Sequence, residues 1–298
     1  MTSTNLRKDL YNVATRGVRF SLKLPNNQFT GWLIDRFFGG FFTGVIDAAV
    51  TFDEMIAEKS LKEACGWISS ICGTAPQVHG VENLPGDGPL LLVSNHPGYF
   101  EGMLTISFLQ RDDFRLVVSG VPYFNQLPNA SKYIFYTDHS EGENVNALRK
   151  AVAHLRDGGT FMIYPTGQAD PDPDAMPGSS ERLDDWSESV ALMLRRVPET
   201  RLVPIIVSGI VNPRFLRHPL ALIQRERRPR IRVAELFQMY QQFGKSDRPP
   251  LSNPRISFGP AISGTELIEQ VGRRNIMSEV IRRARVELDL HMARKGAG

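Results

Sequence analysis

The hydrophobic positions of this chain change rhythm near residue 75. Residues 1–75 read as helices joined by loops. Phe29 to Phe52 is dense in large apolar side chains (Trp32, Leu33, Phe37, Phe38, Phe41, Phe42, Val45, Ile46), broken by Asp35, Arg36, Asp47 and four glycines. That mixture predicts an amphipathic helix or helical pair, either packed on the body of the protein or lying in a bilayer interface. Asp53 to Ile71 predicts one further helix.

From residue 76 strands and helices alternate. Leu90 to Val93 is a short apolar run after Pro85-Gly86-Asp87-Gly88-Pro89, the pattern of a buried strand entered from a turn. Phe114 to Val118, Tyr133 to Thr137, Thr160 to Tyr164 and Leu202 to Val207 repeat it. Asn144 to Arg156 has helical spacing and stops at Gly158-Gly159. Trp186 to Arg196 is a second helix. Ile231 to Ala234 and Arg255 to Phe258 read as later strands, and Thr265 to Ala293 as a closing helix. Strands separated by helices predict an α/β fold, a largely parallel central sheet flanked by helices, with an N-terminal helical region. The division is 1–75 for the helical region and 76–298 for the α/β domain.

Composition narrows the classes. The 298 residues are 42% hydrophobic and 22% charged, enough apolar surface for a sizeable core. The formal charge of +3 gives no ground for a nucleic-acid partner. Cys65 and Cys72 exclude a disulfide scaffold and a cysteine zinc site; seven residues apart on a helix, they read as buried free thiols. No stretch is long and apolar enough for a membrane span, and the first residues lack the apolar run of a signal peptide. The expected location is the cytoplasm, or the inner face of a membrane as a peripheral protein.

The sharpest chemical feature is Ser94-Asn95-His96-Pro97-Gly98-Tyr99-Phe100-Glu101, directly after a predicted strand. Pro97 suits the first position of a helix, with His96 at its cap. Residues five apart on an unbroken helix point about 140° from each other. His96 and Glu101 therefore meet only if Pro97-Gly98 turns the chain. A carboxylate behind the imidazole would fix its tautomer and leave the other ring nitrogen free to take a proton. A histidine that merely caps a helix is the plainer alternative.

Four motifs in order resemble the glycerolipid acyltransferase family, the glycerol-3-phosphate and 1-acylglycerol-3-phosphate acyltransferases, over about residues 76–210. They are Val78 to Pro85 with Pro89 to His96, Ile134 to His139, Tyr164-Pro165-Thr166-Gly167, and Val203-Pro204-Ile205-Ile206. The resemblance implies transfer of a fatty acyl group from acyl-coenzyme A or acyl carrier protein to a lipid hydroxyl. His96 would be the base and Glu101 its orienter. Asn95, His139, Thr166, Gly167 and Pro204 would lie on the substrate. No metal and no cofactor beyond the acyl co-substrate is implied, and an apolar groove for the chain should end near His96. The chain departs from the family pattern three times. Glu101 stands for the usual aspartate. Asp138 and His139 stand where an arginine is expected. Thr166 replaces the glutamate of the Phe-Pro-Glu-Gly turn. The last two positions help hold the acceptor phosphate in the family, and no side chain here reproduces a guanidinium fork. The acceptor is thus left open, and two other readings stand beside transfer: a lipid-binding relative without catalysis, and a thioesterase.

Two charged stretches remain. Asp170, Asp172, Asp174 and Glu181 match a calcium-loop spacing, but Ala175 replaces the required glycine and prolines interleave. The plain reading is an acidic loop from Gln168 to Arg182, a lid or a part of acceptor selection. Arg214 to Arg232 holds seven arginines against one acid, Glu226. It reads as a solvated face or as a surface for anionic lipid, coenzyme A phosphates or an acidic carrier protein; nucleic acid is the third reading, with no recognised binding motif in the run.

Overall fold

A computed structural model describes residues 3–119, 124–137, 141–244 and 249–296. Three helices open the chain: α1 (Ser3–Leu22), α2 (Gln28–Glu58) and α3 (Leu61–Cys72). Asn27 caps α2 by accepting the Thr30 amide at 2.9 Å, and Ser60 caps α3 by accepting the Glu63 amide at 3.1 Å. The Ser60 cap explains a departure from the periodicity. One long helix, Gln28–Glu58, stops at Lys59, and a new one starts, where the hydrophobic pattern alone predicts a break near Asp53.

The strands are β1 (Gln77–His79), β2 (Leu90–Ser94), β3 (Phe114–Ser119), β4 (Ile134–Thr137), β5 (Thr160–Ile163), β6 (Arg201–Ser208), β7 (Arg255–Phe258) and β8 (Ile262–Ser263). They form one sheet in the order β1-β7-β6-β2-β5-β3-β4, with β8 also on β6. Pairing is parallel except where β7 and β8 meet β6. The expected largely parallel α/β sheet is present. The helices after the first strands are α4 (Glu101–Ile106), α5 (Glu141–Arg156), α6 (Ser179–Arg182), α7 (Ser189–Arg196), α8 (Pro213–Leu216), α9 (Pro219–Leu222), α10 (Arg227–Phe243), α11 (Gly264–Val271) and α12 (Ile276–Ala293).

Two predicted elements come out differently. Ile231 to Ala234 is not a strand but part of α10, whose buried residues Ile231, Ala234, Gln238 and Gln242 follow helical spacing. The closing helix is two, because Gly272 stops α11 at φ +74°.

Side-chain alternation along the strands sorts the core onto two faces. Leu90, Leu92, Val203, Ile205, Val207, Ile256 and Phe258 turn to a cluster shared with α2, α3 and α4. Leu91, Val93, Leu202 and Ile206 turn to the other, against α5, α7, α11 and α12. Phe41, Phe42, Ile46 and Val50 of α2 belong to the first cluster, so residues 1–75 share the core of the α/β body. The start of α2 behaves oppositely: Phe29, Trp32 and Phe37 are exposed. Cys65 and Cys72 are buried free thiols on α3, and burial raises both.

Candidate active site

The site grows from the end of β2, the central strand bonded to β5 on one side and β6 on the other. Backbone pairing stops at Ser94, and the Asn95 side chain continues it. Asn95 Nδ2 donates to the Val207 carbonyl and the Val207 amide donates to Asn95 Oδ1, both at 2.8 Å. Asn95, expected on the substrate, is buried and bonded into the sheet instead.

His96 to Phe100 make a non-helical turn, and α4 begins only at Glu101. His96 is therefore not a helix cap. The turn carries Phe100 into the core and brings Glu101 back beneath the imidazole, where Nδ1 of His96 bonds Oε1 of Glu101. Two glycines permit this. An added Cβ on Gly98 would drive into the Ile210 side chain, and one on Gly102 would lie 2.6 Å from the Tyr164 hydroxyl. The Tyr164 ring stacks on the imidazole at 4.3 Å between centroids and 15° between planes. Glu101 is buried, whereas the His96 side chain is 33% exposed, so a hidden carboxylate backs a ring that solvent partly reaches.

The electrostatics favour a cation at His96. Burial pulls the imidazole down, but the charge and hydrogen bond of Glu101, with Glu235 and Asp170 adding to them, raise it from 6.5 to about 9. Glu235, on α10, has its Oε1 within 3.6 Å of where a Gly98 Cβ would stand. Burial raises the Glu235 carboxyl to about 7 against the opposing pull of His96. Burial first, then the Glu101 charge, lifts the Tyr164 phenol well above its usual value.

The acidic loop after β5 is a strap, and its calcium-like spacing serves other partners. Asp170 Oδ2 accepts the His96 amide at 2.9 Å, the Asp170 amide donates to the His96 carbonyl at 2.7 Å, and Arg182 Nε donates to Asp170 at 3.0 Å. Asp172 accepts the amides of Gly209, Ile210 and Val211 at 2.8–3.0 Å. Asp174 takes a two-pronged Arg255 contact at 2.9 and 3.0 Å, with Ser208 and Lys295 beside it. Burial raises Asp172 to about 6; for Asp174 the Arg255 and Lys295 contacts outweigh burial and hold it at about 2.

The remaining expected residues separate. Thr166 and Gly167 form the turn that follows Tyr164. The Thr166 hydroxyl bonds within that turn, donating to the Gln168 carbonyl at 3.0 Å, and Gly167 is exposed at its tip. Tyr164 and Asp170 hold the turn beside His96. Pro204 does not reach the site. It lies in β6 between Leu202 and Ile206 of the opposite core face, against Gly259. His139, with Asp138, lies outside the described residues. Cavities of about 480 and 830 Å³ open elsewhere, around Arg255 and around Trp67, and neither is lined by His96. Tyr164, Asp170 and Glu235 were not singled out as site residues by the sequence. Tyr164 and Asp170 at least adjoin a recognised motif, whereas Glu235 lies on a distant helix.

No curated protein matches the chain. Among solved structures it is similar to the 1-acyl-sn-glycerophosphate acyltransferase PlsC from Thermotoga maritima, at 16% identity over 96% of each chain with a TM-score of 0.45. Residues 75–208 match the family model described as Acyltransferase, a span that contains the His96–Glu101 turn, Tyr164 and the strap. From β1 to the end of β6, this chain is similar to the acyltransferase domain that the family model describes.

Proposed function

We propose that the protein moves a fatty acyl group from acyl-coenzyme A or acyl carrier protein to a hydroxyl of a lipid acceptor, with His96 as general base. The observation that carries this reading is the buried Glu101 on Nδ1 of an imidazole that is itself partly exposed. A carboxylate there directs the lone pair of Nε2 outward and stabilises the imidazolium that forms. Nε2 takes the acceptor proton as the oxygen attacks the thioester carbonyl. The tetrahedral intermediate then collapses, its C–S bond breaks, and the imidazolium returns the proton to the departing thiolate. The products are an ester and a free thiol.

The altered positions 138, 139 and 166 favour an acceptor other than a phosphate monoester. Three carboxylates act on the imidazole, and Arg182 is already engaged by Asp170 and Asp185. Such a setting disfavours a dianionic headgroup.

No described helix is long and apolar enough to cross a membrane. Work at a membrane surface is supported by the exposed Phe20, Phe29, Trp32 and Phe37 of α1 and α2 and the exposed Leu220, Leu222 and Ile223 around α9. Both groups flank the arginine-rich start of α10, which packs against α1, α2 and α9. Arg232 lies 5.3 Å over the Phe20 ring, so cation and aromatic are already side by side. Aromatic rings among arginines suit the headgroup layer of an anionic leaflet. The deciding experiment measures thiol release from both donors with and without a lipid extract, with mass spectrometry of the product. Release that depends on acceptor, with an acylated lipid formed, supports transfer; equal release without acceptor means hydrolysis.

A further inference from the structure

The strap makes one contact that the reaction above does not use. We propose that Asp170 is a positioning residue for His96, fixing the main chain of the base so that its ring faces the acceptor. The inference rests on the reading of His96 as the base. It is carried by a doubled contact: the carboxylate of Asp170 takes the His96 amide at 2.9 Å, and the amide of Asp170 bonds the His96 carbonyl at 2.7 Å. Both polar backbone atoms of the base are held by one residue from another segment.

Among the described residues nothing else does this. β2 has ended at Ser94 and α4 has not begun before Glu101, so His96 lies outside every ladder. Asn95 is pinned to β6 by its side chain, and Asp170 pins the next residue. Asp170 is itself immobilised. It is 2% exposed, and Arg182 grips its second oxygen. Two residues further on, Asp172 ties the strap to the amides after β6. The contact of the His96 amide with the Asp170 carboxylate is charge-assisted, and the Asp170 side is buried, the setting in which hydrogen bonds are short and stiff. A small rotation of the His96 backbone would swing Nε2 by a larger arc. A displacement of about 1 Å at a reacting group costs on the order of 10²-fold in rate. Asp170 touches no reacting atom, so its loss should fall on kcat and on the environment of the imidazole, with KM little changed.

The test uses the full chain with palmitoyl-coenzyme A and palmitoyl-acyl carrier protein supplied together and a mixed lipid extract. Thiol release is followed between about pH 6 and 10. Asp170→Ala should lower kcat about 100-fold with KM within about threefold. It should also move the acid limb of kcat/KM to lower pH, because the ring is no longer pressed against Glu101. Asp170→Asn keeps an oxygen for the His96 amide and should stay within about tenfold of the native rate. Arg182→Met, which frees Asp170 without touching His96, should fall between them. A merely structural contribution would scale the whole pH curve with the folded fraction and leave the limb in place. If Asp170→Ala does not fold, the limb position in Arg182→Met decides. An unmoved limb and native kcat in the folded variant overturns the proposal, as does Asp170→Asn as impaired as Asp170→Ala. His96→Ala is the reference: native turnover in that variant removes the base and the positioning role together. A dead His96→Ala beside native Asp170 variants removes the positioning role alone.

Discussion

The turn after β2 and the start of α2 manage their side chains in opposite ways. Around His96 the polar groups are held by named partners: Asn95 by Val207, Glu101 by the imidazole, Asp170 by the His96 backbone and Arg182. On α2, Phe29, Trp32 and Phe37 stand in solvent, with only the Phe29–Trp32 stack at 6.3 Å as a shared contact between them. The same helix buries Phe41, Phe42 and Ile46 one or two turns later. Rigid polar geometry belongs to chemistry, which fails with small displacements. Exposed aromatic surface suits recognition of something broad and fluid, where no single placement matters. The two regions should therefore fail independently.

The largest effect expected is at the turn. His96→Ala should lower acyl transfer by about 10²–10⁴-fold, the usual range for a general base. Its binding to anionic vesicles, read by co-sedimentation, should be unchanged; a joint loss would dissolve the contrast. Glu101→Gln should be milder, about 10²-fold, and should shift the pH profile. The native kcat/KM should climb with pH toward a limb near 9, since the base acts when deprotonated and its acids raise it to about 9. In Glu101→Gln the limb should move down toward the ordinary histidine value. The His96–Glu101 pair also contributes stability of opposite pH sense. Because the folded value is raised, its contribution is complete below about 6.5 and is lost as pH rises through about 9. Urea midpoints measured across that range should fall with pH, and less so in Glu101→Gln.

Asp172→Ala should act on stability. It strips an acceptor from three amides at the end of β6, costing about 3 kcal/mol and lowering Tm by roughly 5–10 °C in a thermal scan. The smallest effect on chemistry belongs to α2. Replacing Phe29, Trp32 and Phe37 together by Ser should weaken vesicle binding by about 100-fold or more, because each exposed ring loses roughly 1–2 kcal/mol of apolar transfer. Release of thiol with a detergent-dispersed acceptor should stay native. A loss of activity there would show that the two regions are coupled.

How far these features could be read beforehand depended on distance along the chain. β2, β3, β5 and β6 are short apolar runs bounded by turn residues, and they lie close to where the runs predict them. Residues 231–234 misled because Arg230-Ile231-Arg232-Val233 alternates like a strand; only the window extending to Phe243 shows helical spacing. His96 and Glu101 were legible because their partnership is local and the Pro97-Gly98 turn lies between them. Tyr164 meets the imidazole only because β5 lies beside β2, and Asp170 only because the strap returns over the strand end. Asn95 and Pro204 show the converse. Both sit in recognisable motifs, yet each packs into the sheet, since a motif fixes residue type without fixing which way the side chain points.

The antiparallel strand β7 has a bearing on how this molecule can be cut. β1 is bonded to β7 and reaches β6 only across it. The family-matched segment ends at Ser208, well before β7 at Arg255–Phe258. Expressed alone, that segment would leave β1 without a neighbour and one side of β6 as a bare, apolar rim, the sort of border along which chains stick to each other. The last ninety residues supply the strand that covers that side of β6.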